Sequence, residues 1–248
     1  MKKLVVYTAI FGGYDGLLPQ PRFKNVDYIC FTDQPIKSKT WDVRVVTPPY
    51  GKDNTRNNRY FKILPHKHFP GHDVSIYIDG NFIVKKNPTS LLDKLESFGM
   101  LTFDHNQTQH DKRDCVYKEY EAILKEGELN NGNFKDDPAV MKQQIDRFHS
   151  EGYPEENGLI FAAVLIRMHH RPNVKKVMED WWSILTTESK RDQLSFNYVA
   201  WKNNFNFGVL DGDLRRGNPW FHSIGKHNKN YRKKIFTYRL KRLLGKIK

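Results

Sequence analysis

Along the chain, short apolar runs alternate with stretches whose apolar residues recur every three or four positions. Lys3–Ile10 is a β-rich apolar run ending in Phe11-Gly12-Gly13-Tyr14. Asp27–Asp33 reads as a second strand. Trp41–Thr47, which alternates Val43 and Val45 with Asp42 and Arg44, reads as a third, broken by Pro48-Pro49. Asn54–Leu64 is predicted as a helix with Arg56, Arg59 and Lys62 spaced three apart, roughly on one face. Val74–Ile78 is a short strand that stops at Asp79-Gly80-Asn81, and Phe82-Ile83-Val84 follows. The pattern then predicts a helix over Pro88–Phe98, a strand over Met100–Asp104, and helices over Asp114–Lys125 and Pro138–His149, separated by the polar loop 130–137. Leu159–Met168 reads as a buried strand, or two joined by a bend. Helices over Asn173–Leu185 and Asp192–Trp201 and a strand over Phe207–Leu210 complete the series. Strands alternating with helices predict an α/β layered sheet.

Composition narrows the class. With 248 residues, 38% hydrophobic and 13% aromatic, the chain has material for one large α/β domain and does not read as disordered. Two cysteines, Cys30 and Cys115, suggest a reducing compartment without a disulfide framework. The first residues do not resemble a signal peptide, and the sequence has no apolar run of the roughly 20 residues a membrane span needs. A cytoplasmic location is therefore expected. The net charge of +13 is concentrated: from Leu214 onward there are 12 Lys and Arg and no acid, leaving 29 basic and 28 acidic residues before it. A nearly neutral body argues against nucleic-acid binding by a folded basic face. A basic tail working on nucleic acid remains a rival, marked by affinity that falls steeply with salt. The simplest division is a domain over 1–225 and a basic amphipathic tail over 226–248.

Several segments carry candidate chemistry. Asp79 follows an apolar strand directly, which puts a carboxylate at the sheet's carboxyl edge, where α/β proteins bind ligands. Asn81 offers a second oxygen on the same turn, and the pair suits a divalent cation. The same three residues also suit a simple β-turn. In Ser189–Asn197, Ser189 can cap a helix with Asp192 as its third-position carboxylate, which accounts for neither Gln193 nor Asn197. Arg56, Arg59 and Lys62 can clamp phosphates or form a solvated helix face. His105–Glu119 gathers His, Arg, Asp, Tyr and Glu at one junction, without zinc-site spacing. Cys115 beside Val116 reads as a buried, inert thiol.

Taken in order, YTAIFGGYD, DYICFTD, RNNRYFKILPHKHFP, SIYIDGNFIV, HDKRDCVYKE, EGYPEENGLI and SKRDQLSFNYVAWK resemble a glycosyltransferase-like family. That family, formerly a domain of unknown function, occurs in bacterial surface-polysaccharide loci and plant mucilage-related proteins. The resemblance covers about Val5 to Trp201. Asp79-Gly80-Asn81 is also similar to the Asp-x-Asp of retaining GT-A enzymes, and Asp192-Gln193-Leu194-Ser195-Phe196-Asn197 to their Asp-Gln-x-x-Leu-Asn. The resemblance implies a GT-A-like, Rossmann-type mixed sheet and transfer, with retention, from a nucleoside-diphosphate sugar. It implies Mn²⁺ or Mg²⁺ on Asp79 and Asn81, with His222 or His227 as a further ligand; Asn81 in place of a second Asp lowers the site's charge. Asp192 and Gln193 are then catalytic. Thr8, Phe11, Gly12, Asp33, Arg56, Arg59, Lys62, Asp79, Gly80, Asn81 and Asn197 bind the donor, with Asp33 at its base or ribose. His110, Arg113, Glu119, Asn157 and Gly158 face the sugar or a saccharide or lipid-linked acceptor. A lipid-surface hydrolase or a non-catalytic binding module on the same fold is the alternative. Finally, Phe236, Leu240, Leu243, Leu244 and Ile247 share one helical face flanked by Lys and Arg. That pattern predicts an interfacial helix on an anionic membrane, at the inner face, or a terminal helix packed on the body, or a disordered basic tail.

Overall fold

The strand-forming runs are short and β-branched, and every one is bounded by residues that stop it. In the computed structural model, which describes residues 2–225 and 231–245, they form nine strands among the described residues. These are β1 (Leu4–Ile10), β2 (Val26–Thr32), β3 (Asp42–Val45), β4 (Val74–Ile78), β5 (Phe82–Val84), β6 (Met100–Asp104), β7 (Ile160–Arg167), β8 (Gly208–Leu210) and β9 (Phe221–Ser223). The helices are α1 (Asn54–Ile63), α2 (Pro65–His68), α3 (Leu92–Phe98), α4 (Val116–Leu129), α5 (Pro138–Ser150), α6 (Pro172–Thr187), α7 (Phe196–Lys202) and α8 (Arg232–Leu243).

Seven strands make one sheet in the order β3-β2-β1-β4-β7-β6-β8. β1, β2, β3 and β4 are mutually parallel; β7 runs antiparallel between β4 and β6; β6 and β8 are parallel. This is the α/β layered sheet the pattern predicted, with the mixed strand directions and flanking helices that the resemblance implied. All of β1 is buried, and its residues divide by the period of two. Val5, Tyr7 and Ala9 enter the core shared with α1, α6 and α7, while Leu4, Val6 and Ile10 enter the one beneath α3. Both faces being covered explains why β1 reads as a continuous apolar run rather than an alternation.

The topology has a switch point. From β1 the chain moves outward through β2 and β3, then returns to place β4 on the other side of β1. The carboxyl ends of β1 and β4 thus lie side by side where the order reverses, which is where open α/β sheets bind ligands. A separate pair, β5 with β9, brings residues 221–223 back against the segment following Asp79.

Of the two readings of Leu159–Met168, the single buried strand holds as β7, bulged opposite Leu101–Phe103. One predicted element differs in form. Asp192–Trp201 is a 3-10 turn over Asp192–Leu194 followed by α7. Ser189 does not cap it: its hydroxyl donates to Asp136 Oδ2 at 2.7 Å. Helix α8 uses Ile235 and Tyr238 to pack on Leu18 and Ile83, and leaves Phe236, Leu240, Leu243 and Leu244 exposed. Ile247, Lys246 and His227 lie outside the described residues.

Candidate functional site

Helix α1 brings cations to the switch point because its last turn is anchored from below. Arg167, fully buried at the end of β7, donates to the Lys62 carbonyl at 2.8 Å and to the Tyr7 hydroxyl at 2.6 Å. Tyr7 donates to the same carbonyl at 2.7 Å. The Lys62 side chain, 2% exposed, then points over the Tyr77 ring and bridges two carboxylates. Its Nζ lies 2.5 Å from Asp192 Oδ2 and 3.9 Å from Asp79 Oδ1. One turn earlier, Arg59 Nε sits 3.0 Å from Asp192 Oδ2.

These contacts set the charge state. Burial pushes the Asp192 carboxyl up, but Arg59, Lys62 and Arg191 overcome it and hold the group well below the ordinary carboxylate range. On Lys62 the balance runs the other way, with burial drawing the ammonium down against the pull of Asp192 and Asp79. Asp192 has a second cation, Arg59, on the same oxygen to share its charge. Asp192 is therefore no helix cap; among the described residues Oδ1 accepts from the adjacent Gln193 amide, and Oδ2 faces α1.

Asp79 stands at the end of β4, partly exposed, and accepts from the Tyr77 hydroxyl at 2.9 Å. Asn58 steadies Tyr77 at 3.2 Å while holding the Ala9 carbonyl at 2.6 Å, tying β1 to β4 through α1. Gly80 is required by crowding rather than by backbone twist: a Cβ there would lie 2.9 Å from Asp15 Oδ2. Asp15 thus adds a second carboxylate beside the turn. Tyr14 overlooks the cluster, its hydroxyl raised by partial burial, Asp15 and Asp79 against Arg191 and Arg59. Pattern reading did not single out Tyr14, Asp15, Tyr77 or Arg191. Two follow the Gly12-Gly13 turn, where no periodicity exists, and the aromatic Tyr77 is indistinguishable from core.

Three oxygens can be tested against a divalent cation. Asp79 and Asp15 are carboxylates flanking Gly80. Asn81 Nδ2 donates to the Gly225 carbonyl at 2.8 Å, leaving Oδ1 buried without a partner among the described residues. Hard oxygens of this kind fit Mg²⁺ or Mn²⁺. Among the described residues, no three His, Cys, Asp or Glu side chains gather to hold an ion unaided. His222 packs its ring on Tyr238, with centroids 4.8 Å apart, on the side of α8. His227 lies outside the described residues.

At the ends of β1 and β2, the Gly12 amide donates to Asp33 at 3.0 Å. Gly12 adopts φ +62°, and a Cβ would meet Asn54 Nδ2 at 2.0 Å. Phe11 is buried and stacked on Phe61, and Thr8 is buried within β1. Arg56 is diverted from the cluster: it donates to the carbonyls of Leu185 and Glu188 and pairs with Asp53, joining α1 to the end of α6. Spacing put it on the basic face, but tertiary carbonyls claimed it.

A neighbouring polar group forms from the loop before α4. Arg113 donates to Glu119 at 2.6 Å and to His105 at 2.9 Å, and Arg215 grips Asp111 through two bonds of 2.5 and 2.8 Å. Burial and Arg113 push His105 down to about 4. Burial raises Glu119 against Arg113 and Arg191. The charge of Arg191 acts on both Glu119 and Asp192. His110 lies exposed in the preceding turn; His105 is the histidine the fold brings in. Beside it, a cavity of about 340 Å³ is lined by Asp104, Asn157, Gly158, Asn197 and Trp201. Asn197 braces its rim, accepting from Ile160 N at 3.0 Å.

Comparison with known proteins follows this geometry. Residues 1–210 match the family described as TOD1/MUCI70, glycosyltransferase-like domain. A curated relative, the probable hexosyltransferase MUCI70 of Arabidopsis thaliana, is 27% identical over 224 residues, covering 79% of this chain. The match spans 37% of that relative's length. Among solved structures, mouse xyloside xylosyltransferase 1 is similar over 85% of each chain, at 11% identity and a TM-score of 0.43. The glycosyltransferase GlyE of Streptococcus pneumoniae is similar over 85% of this chain and 45% of its own, at 11% identity and a TM-score of 0.42.

Proposed function

The chain belongs to the TOD1/MUCI70 glycosyltransferase-like family, and from that premise we propose that it transfers a sugar, a hexose by analogy with the relative, from a nucleoside-diphosphate donor to an acceptor hydroxyl in surface-polysaccharide or glycolipid synthesis. The observation that carries this reading is the convergence of Asp79, Lys62, Arg59 and Asp192 at the switch point.

The donor's base or ribose meets the Gly12–Asp33 turn, and its diphosphate lies over the Asp79 turn. Arg59 and Lys62 stand where negative charge grows on the leaving diphosphate, in a site with little water to screen them. Asp192 and Gln193 face the sugar. As the diphosphate takes up positive charge from α1, Asp192 becomes free to stabilise an oxocarbenium-like sugar, which favours retention. A divalent cation held by Asp79 and Asn81 Oδ1, with Asp15 adjacent, would supply Lewis-acid stabilisation of the leaving group. Asn157 and Gly158 line a cavity of about 340 Å³, at the small end of ligand pockets, and orient sugar hydroxyls there; the Arg113–Glu119 pair stands outside that lining and acts from the neighbouring polar group.

No helix among the described residues is long and apolar enough to cross a membrane. The exposed stripe of α8, flanked by Lys233, Arg239, Lys241 and Arg242, fits reversible docking on an anionic surface instead. Such docking would place the site at a membrane face bearing lipid-linked acceptors.

The test is a thermal-shift screen of nucleoside diphosphates and their sugars with and without Mn²⁺, followed by turnover. A matched ligand at 100 times its Kd adds about 2.7 kcal/mol of stability. Failure of every nucleotide to stabilise the protein would refute the assignment.

A further inference from the structure

A second cavity, of about 940 Å³, separates α8 from β9 and the residues around it. Five basic side chains line it: Lys85, Arg216, Lys233, Lys234 and Lys241. Among the described residues no Asp or Glu does. From Leu214 to residue 248 the sequence holds no Asp or Glu.

The walls are ordered around the cations. Lys85 donates through Nζ to the Asn218 carbonyl at 2.5 Å and through its backbone amide to Trp220 at 2.6 Å. His222 rests on Tyr238, and its Nδ1 has no partner among the described residues. Like charges converging on one cavity repel unless an anion joins them. A phosphate carrying about two negative charges suits that role.

The helix that closes the cavity also shows what bears the phosphate. Thr237, Tyr238 and Lys241 of α8 face inward. On the adjoining surface of the same helix, Phe236, Leu240, Leu243 and Leu244 are 68%, 48%, 87% and 57% exposed. A soluble anion would use the cations and leave the stripe unexplained, whereas a phosphate on a lipid uses both.

We propose that this cavity binds the phosphate monoester or diphosphate of a lipid while the adjacent stripe enters the bilayer. The proposal rests on the membrane docking argued above and names the lipid chemistry it selects. It also places that phosphate beside the donor turn, since Gly225 on the cavity wall accepts from Asn81 at 2.8 Å.

The test uses the full chain with vesicles of phosphatidylcholine containing either phosphatidic acid, a monoester, or phosphatidylglycerol, a diester, at matched surface charge. Soluble pyrophosphate is titrated in parallel. Phosphatidic acid should be preferred. The exposed pair Arg216→Ala and Lys241→Ala should weaken binding to it roughly 10- to 30-fold, from about 1 kcal/mol for each basic residue, and abolish the preference. Phe236→Ser with Leu240→Ser should release the protein from every vesicle while leaving pyrophosphate binding intact. Equal binding to both lipids, unmoved by the cavity pair, would overturn the proposal. So would vesicle binding that survives loss of the stripe. Stabilisation by nucleoside diphosphate is followed on the same samples. Its loss in the cavity pair would assign the cavity to the donor and also overturn the proposal. Its absence from the parent chain, with the lipid preference intact, would sink the transferase reading and leave this one standing.

Discussion

Replacing Lys62 with Met removes a buried ammonium and keeps most of its stem. Asp192 would lose its 2.5 Å partner and keep Arg59 at 3.0 Å, and Asp79 would lose a cation at 3.9 Å. Breaking one side of a buried pair costs about 3–5 kcal/mol. The surviving Arg59 argues for the lower end, about 3 kcal/mol. For a chain of this size that lowers Tm by roughly 6–12 °C. The pH dependence separates charge from packing. The folded Asp192 carboxyl is depressed, so its contribution is complete above the ordinary carboxylate value of about 4 and disappears as pH falls through its lower folded value. In Lys62→Met that depression shrinks. The stability deficit should therefore be full at about pH 7, largely persist to about pH 4, and close only as pH falls well below that towards the parent's low folded value. Denaturant melts of both proteins at about pH 7 and about pH 2.5 measure it directly. A deficit of equal size at both would show that Lys62 acts by packing, and no deficit at neutral pH would refute the pair altogether.

Asp79→Ala should melt within about 2 °C of the parent, its side chain being a quarter exposed, yet lose at least about 100-fold in turnover; full activity would remove it from the site. Asp192→Asn should lower kcat far more than it raises donor KM and also lower Tm, because Arg59 and Lys62 lose their counterion; a lowered Tm with unchanged kcat would make it purely structural. Gly12→Ala should destabilise by about 2 kcal/mol or more, through left-handed strain and the clash with Asn54, and the double variant with Asn54→Gly should recover only part of that by the same melt. Phe236→Ser should leave Tm unchanged and reduce sedimentation with anionic vesicles, since that ring contributes exposed rather than core area.

What the sequence disclosed depended on whether a residue's role followed from its neighbours in the chain. The strands of the main sheet were legible because their apolar runs end at turn residues, and Asp79 was legible because it ends one of them. The basic face of α1 was only partly so. Arg59 and Lys62 reach the cluster, but Arg56 is held by carbonyls from α6, more than a hundred residues away in sequence. The resemblance put His110 at the sugar, whereas the fold buries His105 against Arg113 and leaves His110 exposed, a difference of burial that the residues of that junction do not display. The strand β9 and the two anchors of α8, Ile235 and Tyr238, are too short or too few to produce a period. The stripe of Phe236, Leu240, Leu243 and Leu244 has a period, and that face is the one left outward.

The bond between Asn81 and Gly225 has a bearing on synthesis. The turn that carries Asp79 is closed by residues 144 positions later, through Asn81 Nδ2 to Gly225 and the Ile224 amide to the Asn81 carbonyl. A ribosome adding about 5–20 residues per second emits Asn81 roughly 7–30 s before Gly225. During that interval β1, β2 and β4 can assemble, but the turn lacks its brace. The proposed competence for nucleotide would then arrive abruptly, once the strand that leads into the basic helix has emerged.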